Sequence, residues 1–193
     1  MKPILFNAEM VRAILDGRKT VTRRIIKPQP KSEVVFHLGQ WQETQMCANG
    51  LRILIPPVQI GDVLYVRETW GRTADLPGIS EEATVYAADF SDQELAHLKD
   101  KHFRWRPSIH MPKDLARLFL RVTEVRADRL QNMQIADVLA EGIMTEVKDY
   151  WEEWHNLWGG TIPKEDLDIY GWKANPWVWV IKFEVCEKPE VEQ

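Results

Sequence analysis

The first thirty residues change from a helical to an extended pattern of apolar positions. Residues 7–16, NAEMVRAILD, carry an apolar stripe at helical spacing behind Asn7, a residue type that caps helix N-termini, and predict a short helix. Gly17 comes next and is typical of helix C-termini. Residues 20–26, TVTRRII, are rich in β-branched side chains and predict a strand, which the prolines of KPQP end. The chain therefore opens with a helix–strand junction.

Extended patterns dominate the chain between residue 31 and the late helices. Residues 31–60 are predicted to hold two short strands, in SEVVFHLGQW and LRILIPPVQI, joined as a hairpin around Asn49–Gly50. The run VLYVRETW after the Gly61–Asp62 turn predicts a strand that ends in polar residues. Residues 118–127 (LFLRVTEVRA) and 177–186 (WVWVIKFEVC) predict two longer strands.

Two helices are predicted late in the chain, over residues 130–143, ending at Gly142, and over 146–158. The stretch 71–106 is rich in polar and turn residues, with one strand-like run, ATVYAAD, and is interpreted as an insertion over one face of the domain. The order of elements predicts a single α+β domain over residues 1–186, a small mixed β-barrel decorated with helices, followed by a charged tail, 187–193.

Composition and charge limit the classes of function. The chain has 193 residues, of which 45% are hydrophobic and 28% charged, as in a globular protein, and its net charge is −4. Any contact with nucleic acid must therefore come from a local patch. Residues 1–31 supply one, with eight lysines and arginines against two acids, an excess of six that suits an RNA backbone. The alternative is a solvated basic strand edge that prevents aggregation.

The cysteines, the histidines and the N-terminus predict reduced thiols, no metal site and no signal peptide. Cys47 and Cys186 form no CxxC motif, which favours two reduced thiols in a cytoplasmic protein. The N-terminus shows no signal peptide, and no apolar run is long enough to span a membrane. We predict no metal and no cofactor, because the histidines at positions 37, 97, 102 and 155 show no metal-binding spacing. The oligomeric state stays open.

Six of the nine tryptophans fall between residues 151 and 179. They can form a core, since tryptophan buries a large area, or a platform that stacks on bases. Because Trp151, Trp154 and Trp158 recur at helical spacing, the core interpretation is favoured.

The stretch GRKTVTRR, residues 17–24, carries the main candidate chemistry. Alternation along a strand places Thr22 and Arg24 on one face and Arg23 on the other, and Lys19 at the turn can reach toward the first pair. A lysine kept neutral by burial or by cationic neighbours can deprotonate a threonine hydroxyl. Arg24 can then stabilise an oxyanion. An amide hydrolase uses such a set.

Four stretches, GRKTVTRR, GDVLYVRETW, RPSIHMP and NPWVWVIKFEV, resemble the ASCH family of the PUA-like superfamily, in particular its long, phage-associated or prophage-associated branch. The family signature is G-x-K-x-x-E-x-R. Gly17, Lys19 and Arg24 match it, and Thr22 stands where the family often has glutamate. Small bacterial ASCH proteins that act as N4-acetylcytidine amidohydrolases also carry threonine at that position.

The resemblance implies a PUA-like barrel with a helix-lined cleft and a catalytic set of lysine, threonine and glutamate. Lys19 and Thr22 match by the motif. Glu141, in DVLAEGI after the long central strand, is the best positional match for the glutamate, and Glu68 in VRETW is a rival. The expected substrate-binding residues are Arg23, Arg24, Glu68, Trp70 and His110.

Several of these residues have a structural alternative. Arg67 and Glu68 can form an internal ion pair, Trp70 can be a packing residue, and His110 can be a structural histidine. The leading hypothesis is an amidohydrolase that removes the acyl group from N4-acetylcytidine or a related nucleoside, so the expected partner is a modified nucleoside or RNA. A non-catalytic RNA-binding module and a ribonuclease are the alternatives.

Overall fold

The computed structural model describes residues 1–47, 50–73, 83–100, 103–144 and 149–189. Within these ranges the chain forms both strands and helices, so the predicted α+β class is confirmed. The strands are β1 (Lys2–Leu5), β2 (Val21–Ile25), β3 (Val34–His37), β4 (Gln40–Cys47), β5 (Gly50–Leu54), β6 (Val63–Arg67), β7 (Trp70–Arg72), β8 (Thr84–Tyr86), β9 (Phe119–Arg129) and β10 (Trp177–Cys186). The helices are α1 (Ala8–Leu15), α2 (Asp92–Asp100), α3 (Ile135–Ala140), α4 (Tyr150–Gly160) and α5 (Leu167–Tyr170).

The opening of the chain matches its predicted pattern. The Asn7 side chain accepts a hydrogen bond from the backbone N–H of Met10 and caps α1. Gly17 adopts a φ of 73° after the helix, a left-handed conformation that glycine takes at little cost. Strands β2, β6, β9 and β10 lie where sequence periodicity predicts them.

Residues 31–60 hold three strands instead of two. Strands β3, β4 and β5 form a separate antiparallel sheet in that order. The strand absent from the prediction is β4, QWQETQMC, whose polar sequence carries little strand signal and which is stabilised by pairing on both sides. Asn49 of the predicted hairpin lies outside the described residues.

The helix predicted over residues 130–143 is shorter than expected. Residues 130–132 form a single 3-10 turn, and α3 begins only after Gln134, whose backbone is extended. The backbone N–H of Gln134 donates to the Asp137 carboxylate at 2.9 Å, and this contact caps the N-terminus of α3. α3 ends at Ala140, ahead of Gly142, which has a φ of 91°.

The segment predicted as an insertion contains more regular structure than its composition indicates. Strands β7 and β8 pair antiparallel, with Gly71 opposite Val85, and α2 comes after them. Helix α2 is absent from the prediction, because it has no buried residue and therefore no apolar stripe. Residues 74–82 and 101–102 lie outside the described ranges. That this segment is an insertion into one domain stays a prediction.

The chain divides into two compact units. The first comprises residues 1–17, 62–121 and the chain end from Glu184. In it β1 runs parallel to β6, and β6 is antiparallel to β9, with Leu64 opposite Leu120. Its buried apolar cluster includes Trp70, Met111 and Phe119.

The second unit comprises residues 18–61 and 122–183. Its strand order is β9-β10-β2, and β10 is antiparallel to β2, with Ile181 opposite Thr22. The core packs Val21 of β2 and Val178 of β10 against Trp154 and Trp158 of α4. The core interpretation of these two tryptophans is therefore confirmed, since they are 2% and 5% exposed.

Three observations concern the predictions on membrane-spanning segments, on the cysteines and on the second late helix. Among the described residues, no helix is both long and apolar enough to cross a membrane. Cys186 is a free thiol, and burial raises its pKa above the usual value for cysteine. α4 begins at Tyr150, capped by Asp149, whereas the sequence predicts a start at 146; residues 145–148 are outside the described ranges.

Candidate functional site

The end of α3 lies against the entrance of β2. The backbones of Lys19 and Glu141 form an antiparallel bridge, and the N–H of Thr20 donates to the carbonyl of Ala140 at 2.9 Å. The Arg18 guanidinium adds a hydrogen bond to the carbonyl of Gly142 at 2.7 Å. These contacts bring two segments that are distant in sequence into one site.

The Lys19 ammonium is fully buried and has three acceptors among the described residues. Its Nζ donates to Glu141 Oε2 at 2.6 Å, to the Glu141 carbonyl at 3.0 Å and to the Val21 carbonyl at 2.8 Å. The side chains of Lys19 and Glu141 are 0% and 3% exposed. An ammonium has three N–H donors, so these acceptors match its full capacity. The charged amine is thus held in a fixed position.

Opposing forces act on the Lys19 proton. Burial lowers the pKa of Lys19 below its usual value, because the charged form loses its hydration. The Glu141 carboxylate opposes this shift, and the charges of Arg24 and Arg23 add to it. The net direction of the pKa shift is downward, which brings the neutral amine closer to physiological pH than in an exposed lysine.

Glu141 divides its carboxylate between two cations. Oε2 accepts from Lys19, and Oε1 accepts from Arg23 NH1 at 3.0 Å. The other terminal nitrogen of Arg23 lies 3.1 Å from Asp137 Oδ1, and the guanidinium lies 5.8 Å from the ring centroid of Trp154. This geometry does not favour the predicted contact of Arg23 with substrate, because its side chain is 2% exposed and its N–H donors face two protein carboxylates.

Lys19 shares the Glu141 carboxylate with Arg23, and the charge of Arg24, on the other face of β2, also acts on its amine. Positions 19, 21 and 23 differ by even steps, so strand alternation places them together. Thr22 is buried on the same strand, but within the described residues no hydrogen bond joins its hydroxyl to Lys19. Arg24 is partly buried, and burial lowers its pKa while Glu141 opposes that shift.

Glu68, the rival carboxylate, has its own partner within the first unit. Arg117 binds it through Nε at 3.0 Å and NH2 at 3.1 Å, and also pairs with Asp89. Burial raises the pKa of Glu68, although Arg117 counteracts the shift. The interpretation that Arg67 pairs with Glu68 is wrong, because Arg67 donates to the Met111 carbonyl at 2.8 Å. The carboxylate that contacts Lys19 is Glu141.

Trp70 and His110 also belong to the first unit. Trp70 is 5% exposed, and the Arg106 guanidinium lies 4.9 Å from its ring centroid, so its ring is used in packing. His110 is exposed in a 3-10 turn over Ser108–His110, and its interpretation as a structural histidine stays a prediction. A substrate contact by His110 stays a prediction.

The basic stretch 1–31 does not form a cluster of unpaired cations. Among the described residues, at least five of its eight basic side chains have an acidic partner within 4.0 Å, and two of those five are buried. The pairs are Lys2–Asp62, Arg12–Asp92, Lys19–Glu141, Arg23–Glu141 and Lys27–Asp166. The local charge excess predicted from composition is therefore largely neutralised.

Sequence reasoning missed Asp137 and Trp154 as neighbours of the site. An arginine in a predicted strand rich in β-branched residues is a signal that a buried acid is needed, but it does not identify the acid. Asp137 precedes Glu141 by one helical turn, so both can point toward Arg23. Among the described residues, no group of three or more histidine, cysteine, aspartate or glutamate side chains can hold a metal ion.

Comparisons with known proteins do not assign the chain to a family. No protein family model matches the chain, and no curated protein matches it. The chain is similar to the crystal structure of EF3133 from Enterococcus faecalis, assigned to DUF984, with 14% identity and a TM-score of 0.41 over all of this chain and 87% of that one. A likeness at this level identifies neither a family nor a function.

Proposed function

We propose that the protein is an amide hydrolase that removes the acyl group from N4-acetylcytidine or a related N4-acylated cytosine nucleoside. One observation carries the proposal: a fully buried lysine pairs with a glutamate at the entrance of the strand that bears Thr22. The resemblance of residues 17–24 to the ASCH signature, in its threonine form, supports the same assignment and a PUA-like fold.

The roles follow from the chemistry of these groups. Lys19, once neutral, accepts the proton of Thr22 Oγ1, and the oxygen attacks the acyl carbon. The tetrahedral intermediate then collapses, the bond from carbon to N4 breaks, and N4 takes the proton from the Lys19 ammonium. Water hydrolyses the threonine ester and releases the carboxylic acid. Each step balances without a metal or a redox cofactor.

Glu141 supports Lys19 in two ways. Its Oε2 fixes the amine, and it receives the proton that Lys19 must lose before the first step. When Lys19 is neutral, a lone pair replaces the N–H that donated to Glu141, and rotation about the bond from Cε to Nζ makes it available to the Thr22 hydroxyl. The proposal therefore requires Thr22 Oγ1 to approach Lys19 Nζ within hydrogen-bond distance when substrate is bound.

Arg24 is the group on β2 best suited to the oxyanion. It lies two residues after Thr22 and so shares its face of the strand. Its guanidinium is partly buried, where a positive charge stabilises a developing negative charge more strongly than in water. Arg23 is not assigned this role, because its guanidinium holds the Glu141 and Asp137 carboxylates on the other face of the strand.

The test is the release of cytidine from N4-acetylcytidine by the purified protein, followed by chromatography. We expect turnover by the wild type and a loss of about 10²-fold to 10⁴-fold in Lys19→Ala, the range for removal of a general base. Lys182→Ala is the matched control, because Lys182 is exposed and pairs with Glu124. It should retain full activity.

Absence of cytidine release from N4-acetylcytidine, from other N4-acylated cytidines and from an RNA that contains N4-acetylcytidine would refute the proposal. Salt-dependent binding of that RNA without hydrolysis would favour the RNA-binding alternative. Metal-independent cleavage of single-stranded RNA would favour the ribonuclease.

A further inference from the structure

Arg23 is the most enclosed cation beside the proposed catalytic pair. Its guanidinium is held between Glu141 Oε1 at 3.0 Å and Asp137 Oδ1 at 3.1 Å, next to the indole of Trp154. Asp137 is fixed in turn by the backbone N–H of Gln134 at the start of α3. The proposed mechanism gives Arg23 no step, so its burial requires another explanation.

We propose that Arg23 is a positioning residue, which fixes Glu141 through Oε1 so that Oε2 stays on Lys19, while Asp137 holds the opposite side of the guanidinium. This inference rests on the proposed function, because it assigns Arg23 to the same site. It replaces the expected contact with substrate by a contact with the group that controls the catalytic lysine.

The geometry of the two carboxylates carries this assignment. Rotation of the Glu141 side chain about its last bond would remove both Oε2 from Lys19 and Oε1 from Arg23, so the two cations fix one orientation. Arginine suits this task because its planar fork presents several N–H donors in fixed directions. A lysine at position 23 has one nitrogen and does not reproduce the separated contacts to both acids.

The charges around Lys19 predict a second, measurable consequence. Glu141 from the end of α3 faces the amine directly, and Arg23 and Arg24 of β2 act on it from the neighbouring strand. Asp137 of α3 partly neutralises Arg23. Removing the charge of Arg23 should therefore favour protonated Lys19, whereas removing that of Asp137 should favour the neutral amine.

The first experiment follows the Lys19 side chain by NMR titration of the lysine ¹³Cε resonances in the full-length protein. The Lys19 signal is assigned as the one lost in Lys19→Ala. Compared with the wild type, Arg23→Gln should raise the pKa of Lys19 and Asp137→Asn should lower it. Arg129→Gln is the matched control, because Arg129 also lies over a tryptophan, Trp177, at 4.6 Å. It should leave the Lys19 titration unchanged.

The second experiment measures hydrolysis by the same variants. Loss of orientation should lower kcat of Arg23→Gln by about 10²-fold, as expected for a small misplacement of a catalytic group, with KM unchanged. Arg23→Lys keeps the positive charge at position 23, so the pKa of Lys19 in this variant should stay close to the wild-type value. Its kcat should still be reduced. This variant preserves the test if Arg23→Gln does not fold.

The outcomes separate this inference from the proposed function. If the wild type hydrolyses no acylated nucleoside but the two substitutions shift Lys19 in opposite directions, the function fails and the positioning geometry stands. A rise in KM with unchanged kcat in Arg23→Lys would show that Arg23 binds substrate and would overturn the inference. Shifts of the same sign in Arg23→Gln and Asp137→Asn would also overturn it.

Discussion

Replacing Glu141 by glutamine removes a carboxylate that contacts both Lys19 and Arg23, the buried cations of the site. The substituted amide would keep the size of the side chain but replace one acceptor oxygen by an NH2 donor that faces a cation, and Lys19 would lose its acidic partner. Arg23 would keep Asp137. We therefore expect Glu141→Gln to destabilise the fold mainly by leaving the Lys19 ammonium buried without a counter-charge.

The size of the effect follows from burial. Two unit charges at 4 Å attract by about 4 kcal/mol at an effective dielectric constant of 20, and removal of one partner from a buried pair costs about 3–5 kcal/mol. The Lys19 and Glu141 side chains are 0% and 3% exposed, so this range applies without a reduction for solvent screening. Since burial lowers the pKa of Lys19, the deficit should shrink at high pH, where the amine is neutral.

The assay is urea unfolding at pH 7 followed by tryptophan fluorescence. With a slope of about 2 kcal/mol/M, the expected loss lowers the midpoint by roughly 1.5–2.5 M. Glu124→Gln is the control, because Glu124 pairs with Lys182 and Arg126 but its side chain is 39% exposed, which limits the loss to about 1 kcal/mol. Equal losses in both variants, or a loss in Glu141→Gln that does not diminish at high pH, would refute the reasoning.

Three further predictions concern stability. Gly171→Ala should cost about 1–3 kcal/mol, because the new Cβ would lie 2.4 Å from the Leu167 carbonyl oxygen; Gly159→Ala in α4, where nothing lies within 4 Å, should instead raise the thermal midpoint by gaining helix propensity. Asn7→Ala should lower the free energy of unfolding by about 1 kcal/mol through loss of the helix cap, and an unchanged midpoint would exclude the cap. The raised pKa of Glu68 means that the folded protein holds this proton more tightly than the unfolded chain does. The free energy of unfolding of the wild type, relative to that of Glu68→Gln, should therefore fall as pH rises above about 4.3. A relative free energy of unfolding that rises with pH in urea unfolding would contradict this.

Local periodicity predicts the elements whose signal lies within their own residues. α1 has its cap and its apolar stripe within a few turns of chain, and β10 begins with five buried apolar residues, so both appear where the sequence predicts them. β4 and α2 escape prediction for the opposite reason. The polar strand β4 depends on pairing with both neighbours, and α2 buries none of its residues.

The partners in the site are less accessible to sequence reasoning. Spacing alone does not join Lys19 to a carboxylate 122 residues away, and the resemblance to a known motif selects Glu141 over Glu68. That Arg23 needs an acid follows from its place in a buried strand, but Asp137 becomes identifiable only once α3 is seen to begin after Gln134. The pair of Glu68 and Arg117 cannot be predicted from spacing either, because 49 residues separate its members.

The rate of cytidine release by Thr22→Ala tests the central claim most directly, since the proposed ester intermediate forms on this hydroxyl. Thr123→Ala is the control, because Thr123 is an exposed threonine on β9 in the same compact unit. We expect Thr123→Ala to match the wild type and Thr22→Ala to lose at least about 10³-fold in kcat, as in other enzymes that lose their nucleophile. Release of cytidine by Thr22→Ala at the wild-type rate would contradict the account.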